Sequence, residues 1–127
     1  MDIFWITAFL VKHYLGDYVF QTKEMVDEKP LFLSKLGLLH AGIHGGLSFL
    51  LICLGIVCCG SSGQSWFLLA ALIGILDFVT HYAIDLVKAV YMPVSLTPET
   101  QMHWVFFGLD QLLHQLTYVG FIVYILS

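Results

Sequence analysis

The sequence LIGILDFVTHYAIDLVK, residues 72–88, lies within an apolar stretch that runs from Trp66 to about Met92. A transmembrane helix needs about 20 mostly apolar residues, so this stretch is long enough to cross a bilayer. Successive positions three or four apart on a helix share one face, because four residues advance only about 40° around the axis. Ionisable residues interrupt the stretch at this spacing: Asp77, His81, Asp85 and Lys88. The stretch therefore predicts an apolar helix with one ionisable face.

Three further stretches resemble it in length and composition, and they predict helices over residues 3–21, 31–59 and 98–126. The last of these is expected to begin at Pro98, because Thr97-Pro98 has the pattern of an N-cap followed by proline at the first helical position. Polar connectors separate the helices at residues 22–30, 60–65 and 93–101. We expect an all-α integral membrane protein, a single transmembrane domain of four helices spanning residues 1–127.

The overall composition favours the same class of protein. The chain has 127 residues, of which 59% are apolar and 11% charged, whereas a soluble domain is about 45–50% apolar and about 25% charged. A chain this small cannot bury so much apolar surface in a water-soluble core. The composition therefore excludes a soluble enzyme, a disordered regulator and a secreted disulfide scaffold.

The charged residues also limit the partners and the orientation. Nucleic acid is not an expected partner, because the chain has a net charge of −4 and lacks the basic surface that binds phosphates. Four of its five lysines lie at the end of the bundle that carries the first and third connectors: Lys23, Lys29, Lys35 and Lys88. The positive-inside rule then predicts a protein of the cytoplasmic membrane with both termini outside the cytoplasm. The oligomeric state is not predicted.

Each of the four helices carries ionisable residues on one narrow face. Ionised side chains at bilayer depth cost about 2.5–3.5 kcal/mol each, so they indicate functional sites. Counted from the lysine-bearing end at about 1.5 Å per residue, Asp17, Asp85 and Asp110 lie about 8–10 Å deep. The histidines lie about 12–17 Å deep on the same count: His13, His40, His81 and His114. The four faces are therefore expected to meet in one cluster.

Imidazole and carboxylate ligands together suit a divalent transition metal, with zinc favoured over iron or manganese. The candidate ligands are His13, Asp17, His40, His44, His81, Asp85, Asp110 and His114. Among them the four histidines at matching depth are preferred as ligands, and Asp17 and Asp110 are ligands or orienting groups. Asp85 is the candidate general base, and Lys88 is placed to pair with Asp85 or to bind an anionic group of a substrate.

Three functions are compatible with such a cluster. The first is a metal-dependent hydrolase that acts on a lipid or another amphiphile from the cytoplasmic half of the bilayer. The second is a transporter or channel subunit that relays protons or ions, although the outer half of the bundle is nearly all apolar. The third is a scaffold whose hydrogen-bonded polar core only holds the helices together.

Other residues have structural interpretations. Ala41 and Gly45, and likewise Gly42 and Gly46, have the small-xxx-small spacing that lets helices approach closely. Lys12 lies about 100° from the His13 face and is expected to point towards a partner helix or to the interface. The pair His103 and Trp104 is expected at the membrane interface, where aromatic residues anchor helices.

Four motifs occur in order along the chain: HYLGDYVFQ (13–21), HAGIH (40–44), THYAIDLVK (80–88) and LDQLLHQ (109–115). Together they resemble a family of small bacterial and phage membrane proteins known as domain of unknown function 3307. The resemblance covers nearly the whole chain and implies a four-helix membrane protein with no established activity. The polar residues that it implies are shared are His13, Asp17, Gln21, His40, His44, His81, Asp85, Lys88, Asp110, Gln111 and His114. Asp77 lies outside that pattern.

A looser similarity connects the chain with membrane-bound metal-dependent hydrolases, including the ceramidase-like zinc hydrolases that build His and Asp sites inside the bilayer. This is a similarity of design, and design does not fix function. The chain has too few histidines for the eight-histidine boxes of membrane desaturases, so a di-iron oxygenase is disfavoured.

Overall fold

The computed structural model of the chain describes residues 2–59, 64–92 and 97–127, and these ranges are mostly helical and contain no strand. The long helices are α1 (Asp2–Tyr14), α3 (Lys35–Cys59), α4 (Gln64–Tyr91) and α5 (Gln101–Leu126). A π-helical turn, Leu15–Val19, continues α1, and a short helix α2, Lys23–Glu28, follows it. Parts of the second and third connectors, residues 60–63 and 93–96, lie outside the described ranges.

The four long helices pack side by side in a ring. Helix α1 contacts α3 and α5, and α4 contacts the same two helices. The half of the bundle near the termini has an apolar core that includes Trp5, Phe9, Ile52, Ile73 and Phe121. The outward faces are also apolar, with large exposed side chains such as Leu54, Phe67, Leu68 and Val123. Apolar residues both inside and outside are typical of a bundle surrounded by lipid.

Three of the described helices are long and apolar enough to cross a membrane: Lys35–Gly55, Ser65–Tyr91 and Gln101–Leu126. Helix α1 has 13 residues, fewer than the roughly 20 that a crossing needs. With its π-helical turn the first segment reaches only about 27 Å at about 1.5 Å per residue, slightly less than the roughly 30 Å of the hydrocarbon core. The chain is therefore an all-α protein with membrane-type helices, and the fourth crossing stays a prediction.

Glycines bring the helices close together at two places in the core. A Cβ atom at Gly45 would lie 2.6 Å from the Gly74 carbonyl oxygen, so α3 and α4 touch through their backbones there. A Cβ atom at Gly55 would lie 2.2 Å from the Trp5 ring, which fixes α1 against α3. Gly42 and Gly46 have nothing within 4 Å of their Cβ positions. Of the two small-xxx-small pairs, the one containing Gly45 therefore forms the contact between helices.

The structure corrects the predicted beginning of the last helix. Helix α5 begins at Gln101 and not at Pro98, because Thr100 is the N-cap and its side chain accepts a hydrogen bond from the His103 amide. The Thr97 carbonyl accepts the Thr100 amide at 2.9 Å, which closes a turn over residues 97–100 instead of a first helical turn. Trp104 anchors this turn by donating its indole N–H to the Pro98 carbonyl at 2.8 Å.

The first connector is more ordered than the sequence indicates. Residues 23–28 form α2, capped by the Thr22 hydroxyl, which accepts from the Met25 amide. Ser34 caps α3 by accepting from the Gly37 amide at 3.0 Å, so the second long helix begins at Lys35 and not at Leu31. The consequence for the site is that α2 lies against the lysine-bearing end of the bundle.

Candidate metal centre

A π-helical turn places the first acidic side chain of the site. Asp17 lies within Leu15–Val19, and single π-helical turns are frequent at functional sites because they change the direction of a side chain. The neighbouring Gly16 lets the backbone approach His44, since a Cβ atom there would lie 2.2 Å from His44 Nε2. The Asp17 side chain is only 8% exposed. The local backbone thus carries Asp17 into the interior of the bundle.

Three imidazoles from two other helices converge on one oxygen of Asp17. Its Oδ1 atom lies 3.3 Å from His40 Nε2, 3.0 Å from His44 Nε2 and 3.5 Å from His81 Nε2. The His44 and His81 rings stack with their centroids 3.5 Å apart. His40 and His81 bring their Nε2 atoms to 3.1 Å, and two nitrogens this close need a hydrogen or a cation between them. We call Asp17, His40, His44 and His81 the inner cluster.

Asp85 borders the inner cluster from α4. Its Oδ2 atom lies 3.3 Å from His40 Nε2 and 3.5 Å from His81 Nε2. The same oxygen forms an ion pair of 2.8 Å with Nζ of Lys29, the residue that follows α2 as its C-cap. The first connector therefore supplies a cation that balances Asp85.

A second group of ligand-type atoms lies next to the inner cluster. Oxygen and nitrogen atoms of Asp85, Asp110 and His114 lie within 4.8 Å of one another. Lys88 Nζ lies 2.8 Å from Asp110 Oδ2, and the His81 and His114 rings are 4.2 Å apart. Three overlapping groups of buried side chains have ligand atoms within 4.8 Å of one another and could hold a metal ion: His13, Asp17, His44 and His81; His40, His81 and Asp85; and Asp85, Asp110 and His114.

Several of these buried atoms form no well-aligned hydrogen bond among the described residues, although Asp17 Oδ1 lies only 3.0 Å from His44 Nε2. The atoms that matter for metal binding are Asp17 Oδ1, His44 Nε2, Asp110 Oδ1 and His114 Nε2. A buried polar atom without a partner costs about 1–3 kcal/mol, so each of these atoms calls for an explanation. A cation bound between them would supply one.

The spacing of the inner cluster fits tetrahedral zinc. Zinc binds His nitrogen and carboxylate oxygen at about 2.0–2.2 Å, so ligand atoms around a tetrahedral ion lie about 3.3–3.6 Å apart. The three distances from Asp17 Oδ1 to the imidazole nitrogens, 3.0–3.5 Å, and the 3.1 Å between His40 Nε2 and His81 Nε2 are close to these values. The donor set, nitrogen with oxygen, is also one that zinc accepts.

A separate set of polar side chains lies one turn away, towards the apolar half. The Lys12 ammonium forms an ion pair with Asp77 and donates to the Tyr118 hydroxyl at 3.0 Å. The Ser48 hydroxyl donates to Asp77 at 2.5 Å. We call Lys12, Ser48, Asp77 and Tyr118 the lysine network. As expected, Lys12 points towards a partner helix, and Asp77 serves as its counter-ion.

Comparison with protein families gives one match. Residues 5–127 match the family described as "Protein of unknown function (DUF3307)". The chain belongs to this family. No curated protein and no solved structure matches it, so neither activity nor ligand comes from a relative.

In this family member the structure brings together all eight residues that the sequence nominates as ligands. Seven lie in the inner cluster and the second group, and His13 lies beside them with its Nε2 atom 3.2 Å from Asp17 Oδ2. One predicted pairing is wrong, because Lys88 pairs with Asp110 and not with Asp85. Asp85 is instead held by Lys29, which the sequence reasoning did not identify. Thr22 could have revealed this contact, because threonine is a preferred N-cap residue. It indicates that a helix begins in the first connector, where a loop is expected, and this helix leads to Lys29.

Proposed function

We propose that the protein is a membrane-embedded, metal-dependent hydrolase that acts on a lipid or another amphiphile. The observation that carries this proposal is the convergence of three Nε2 atoms on Asp17 Oδ1, with His44 Nε2 and Asp17 Oδ1 left without hydrogen bonds. Three imidazole nitrogens gathered within 3.0–3.5 Å of one buried carboxylate oxygen favour a metal site over a hydrogen-bonded core. We assign Asp17, His40, His44 and His81 as the zinc ligands.

A zinc ion held by these four side chains would supply Lewis acidity, and it would make hydroxide available at neutral pH by accepting water as a fifth ligand. Asp85 is the general base, because it lies beside the inner cluster and its Oδ2 atom is held by Lys29 at 2.8 Å. Asp110 and His114 lie on the other side of Asp85. They extend the polar site towards the gap between α4 and α5.

A groove between α4 and α5 supports access from the lipid. Its volume is about 290 Å³, and its lining is apolar apart from two residues of the site, Lys88 and Asp110. An acyl chain suits such a groove, and the Lys88 ammonium would hold an anionic group beside Asp110. A larger cleft between α1 and α3 borders Lys12, which belongs to the lysine network and not to the metal centre.

The position of the polar residues favours a site over a conduit for protons or ions. A conduit should continue to both surfaces of the membrane, whereas polar side chains in the described core extend outward from the cluster only as far as the lysine network. Beyond it the core consists of residues such as Trp5, Ile52 and Ile73. A pocket that is closed at one end is suited to binding and chemistry.

Location in the cytoplasmic membrane, with both termini outside the cytoplasm, is part of the proposal. It rests on the four lysines at one end of the bundle and on the positive-inside rule. The test is a cysteine placed at Ser127 in a chain without its native cysteines, labelled by a membrane-impermeant maleimide in intact cells. We expect labelling from outside, and labelling only after the cytoplasmic side is opened would reverse the topology.

The hydrolase proposal is tested with the zinc-loaded protein in nanodiscs. The probes are p-nitrophenyl esters and p-nitrophenyl phosphodiesters that carry an alkyl chain. We expect turnover of at least one probe by the wild type. Asp85→Asn is expected to retain zinc and the fold but to lose turnover by about 100-fold or more, as expected when a general base is removed.

Asp27→Asn is the matched control, because it makes the same change at an exposed carboxylate of α2. It should leave turnover unchanged. A zinc-loaded wild type that cleaves none of the probes, or an Asp85→Asn variant as active as Asp27→Asn, would contradict the assigned chemistry.

A further inference from the structure

His13 differs from the other histidines of the site in its hydrogen bonding. Among His13, His40, His44, His81 and His114, all of which the structure describes, only His13 has partners on both ring nitrogens. Its Nδ1 atom lies 3.1 Å from the Tyr118 hydroxyl, and its Nε2 atom lies 3.1 Å from Gln111 Oε1. Because a neutral imidazole has one donor and one acceptor nitrogen, the partners determine which nitrogen carries the hydrogen.

The partners of Nε2 are hydrogen-bond acceptors. Gln111 donates its amide N–H to Asp110 Oδ2 at 3.2 Å, and that carboxylate oxygen also accepts from Lys88. The amide nitrogen of Gln111 must therefore face Asp110, which leaves the carbonyl oxygen facing His13. Asp17 Oδ2, another acceptor, lies 3.2 Å from the same His13 nitrogen. Two acceptors around Nε2 require that this nitrogen carries the hydrogen.

The partner of Nδ1 leads to the same tautomer. The Lys12 ammonium can only donate, and it donates to the Tyr118 hydroxyl oxygen at 3.0 Å. The hydroxyl hydrogen is then available for its other polar contact among the described residues, His13 Nδ1. Nδ1 accepts, so the hydrogen of the ring is on Nε2. The lysine network thus sets the tautomer of His13.

A nitrogen that carries a hydrogen has no lone pair for a metal ion, and His13 Nε2 directs its hydrogen to Gln111 Oε1 at 3.1 Å. We propose that His13 is a positioning residue and not a metal ligand. Its Nε2–H group faces Gln111 and Asp17 Oδ2, and it holds the Asp17 carboxylate so that Oδ1 faces His40, His44 and His81. This inference rests on the metal centre proposed above and narrows its ligand set.

His114 provides a contrast within the same site. Its Nδ1–H group donates to the Asp110 backbone carbonyl at 2.9 Å, which leaves Nε2 as the acceptor nitrogen, and this atom has no partner among the described residues. A ligating histidine typically donates its other ring N–H to a carbonyl or carboxylate oxygen. The two histidines are therefore expected to be opposite tautomers.

The tautomers are tested by nitrogen NMR of protein labelled with ¹⁵N in the histidine rings, in nanodiscs, with and without zinc. We expect His13 to show a protonated Nε2 in both samples and His114 a protonated Nδ1. In Tyr118→Phe the donor to His13 Nδ1 is lost, and the preference for the Nε2–H tautomer should weaken. A His13 Nε2 signal without a bound hydrogen, or one that moves on zinc binding as the inner-cluster signals do, would overturn the proposal.

The zinc affinity of variants at His13 and His44 tests the role of His13 independently of the NMR spectra. Loss of a group that orients a ligand costs about 10–100-fold in metal affinity, so His13→Ala should weaken zinc binding by this factor. His13→Gln should recover most of it, because the glutamine amide still donates from the position of Nε2. At His44, a ligand, glutamine should bind zinc as poorly as alanine.

The outcomes separate this inference from the metal centre itself. If His13→Gln and His44→Gln lose zinc equally, His13 is a ligand and the inference is wrong, whereas the metal centre stands. If the wild type binds no zinc, the metal centre is wrong, and the NMR spectrum of the metal-free protein still decides the tautomer of His13.

Discussion

The lysine network and the inner cluster lie one helical turn apart in the same bundle, but their polar atoms differ in how well they are partnered. In the lysine network Asp77 accepts from both Lys12 and Ser48, and Tyr118 binds Lys12 and His13. In the inner cluster Asp17 Oδ1 and His44 Nε2 have no hydrogen-bond partner among the described residues.

This difference in hydrogen bonding indicates the separate roles of the lysine network and the inner cluster. A buried ion pair whose charged groups have hydrogen-bond partners can fix the geometry of the helices without a ligand. A set of buried nitrogen and oxygen atoms that face one another at 3.0–3.5 Å with few well-aligned hydrogen bonds is suited to a cation. The lysine network is therefore structural, and the inner cluster is the candidate binding site.

Breaking the lysine network should have the largest effect on stability. Asp77→Leu leaves the Lys12 ammonium buried without its counter-ion, and loss of one partner of a buried pair costs about 3–5 kcal/mol. The double variant Lys12→Met with Asp77→Leu removes both charges, and most of the loss should be regained. Thermal unfolding in detergent measures both effects, and a double variant no more stable than Asp77→Leu would count against a purely structural pair.

Substitution of a ligand in the inner cluster should lower the stability that bound zinc provides. In His81→Ala one ligand is lost, so added zinc should no longer raise the melting temperature, whereas in the wild type zinc at about 100 times its Kd should stabilise the fold by about 2.7 kcal/mol. His103→Ala is the control, because His103 belongs to neither ligand group. Equal responses of the two variants to zinc would favour a hydrogen-bonded core.

A smaller effect is expected from crowding the site without removing a ligand. A Cβ atom at Gly16 would lie 2.2 Å from His44 Nε2, so Gly16→Ala must displace the imidazole. We expect zinc affinity, measured by competition with a chelator, to fall roughly tenfold, which corresponds to about 1.4 kcal/mol. Gly108→Ala, where the Cβ position is open, should bind zinc like the wild type. Wild-type affinity in Gly16→Ala would mean that His44 is not a ligand.

The residues that meet in the site were predictable because helical periodicity fixes them. Spacings of four residues place His40 and His44, or His81 and Asp85, on one face, and counting along antiparallel helices puts those faces at one depth. The segments that could cross a membrane were predictable for the same reason, since length and apolar content define them. The crossing by α1 is not settled by these criteria, because its helix has 13 residues.

The details that complete the site depend on contacts between segments that the sequence pattern does not encode. The π-helical turn at Asp17 departs from the period used to predict the first helix. The partner of Lys88 is on α5 and that of Asp85 directly follows α2, so spacing within α4 could not reveal either one. The first residue of α5 depends on whether Thr97 or Thr100 is the N-cap. The turn closed between these two threonines makes Thr100 the cap.

The metal content of the wild-type protein tests the central claim most directly. The protein would be extracted in mild detergent, passed over a size-exclusion column in metal-free buffer, and measured by elemental analysis together with circular dichroism. We predict about one or two transition-metal ions per chain, with zinc the main one. A folded protein that retains no transition metal, and that binds none when zinc is added, would contradict the account.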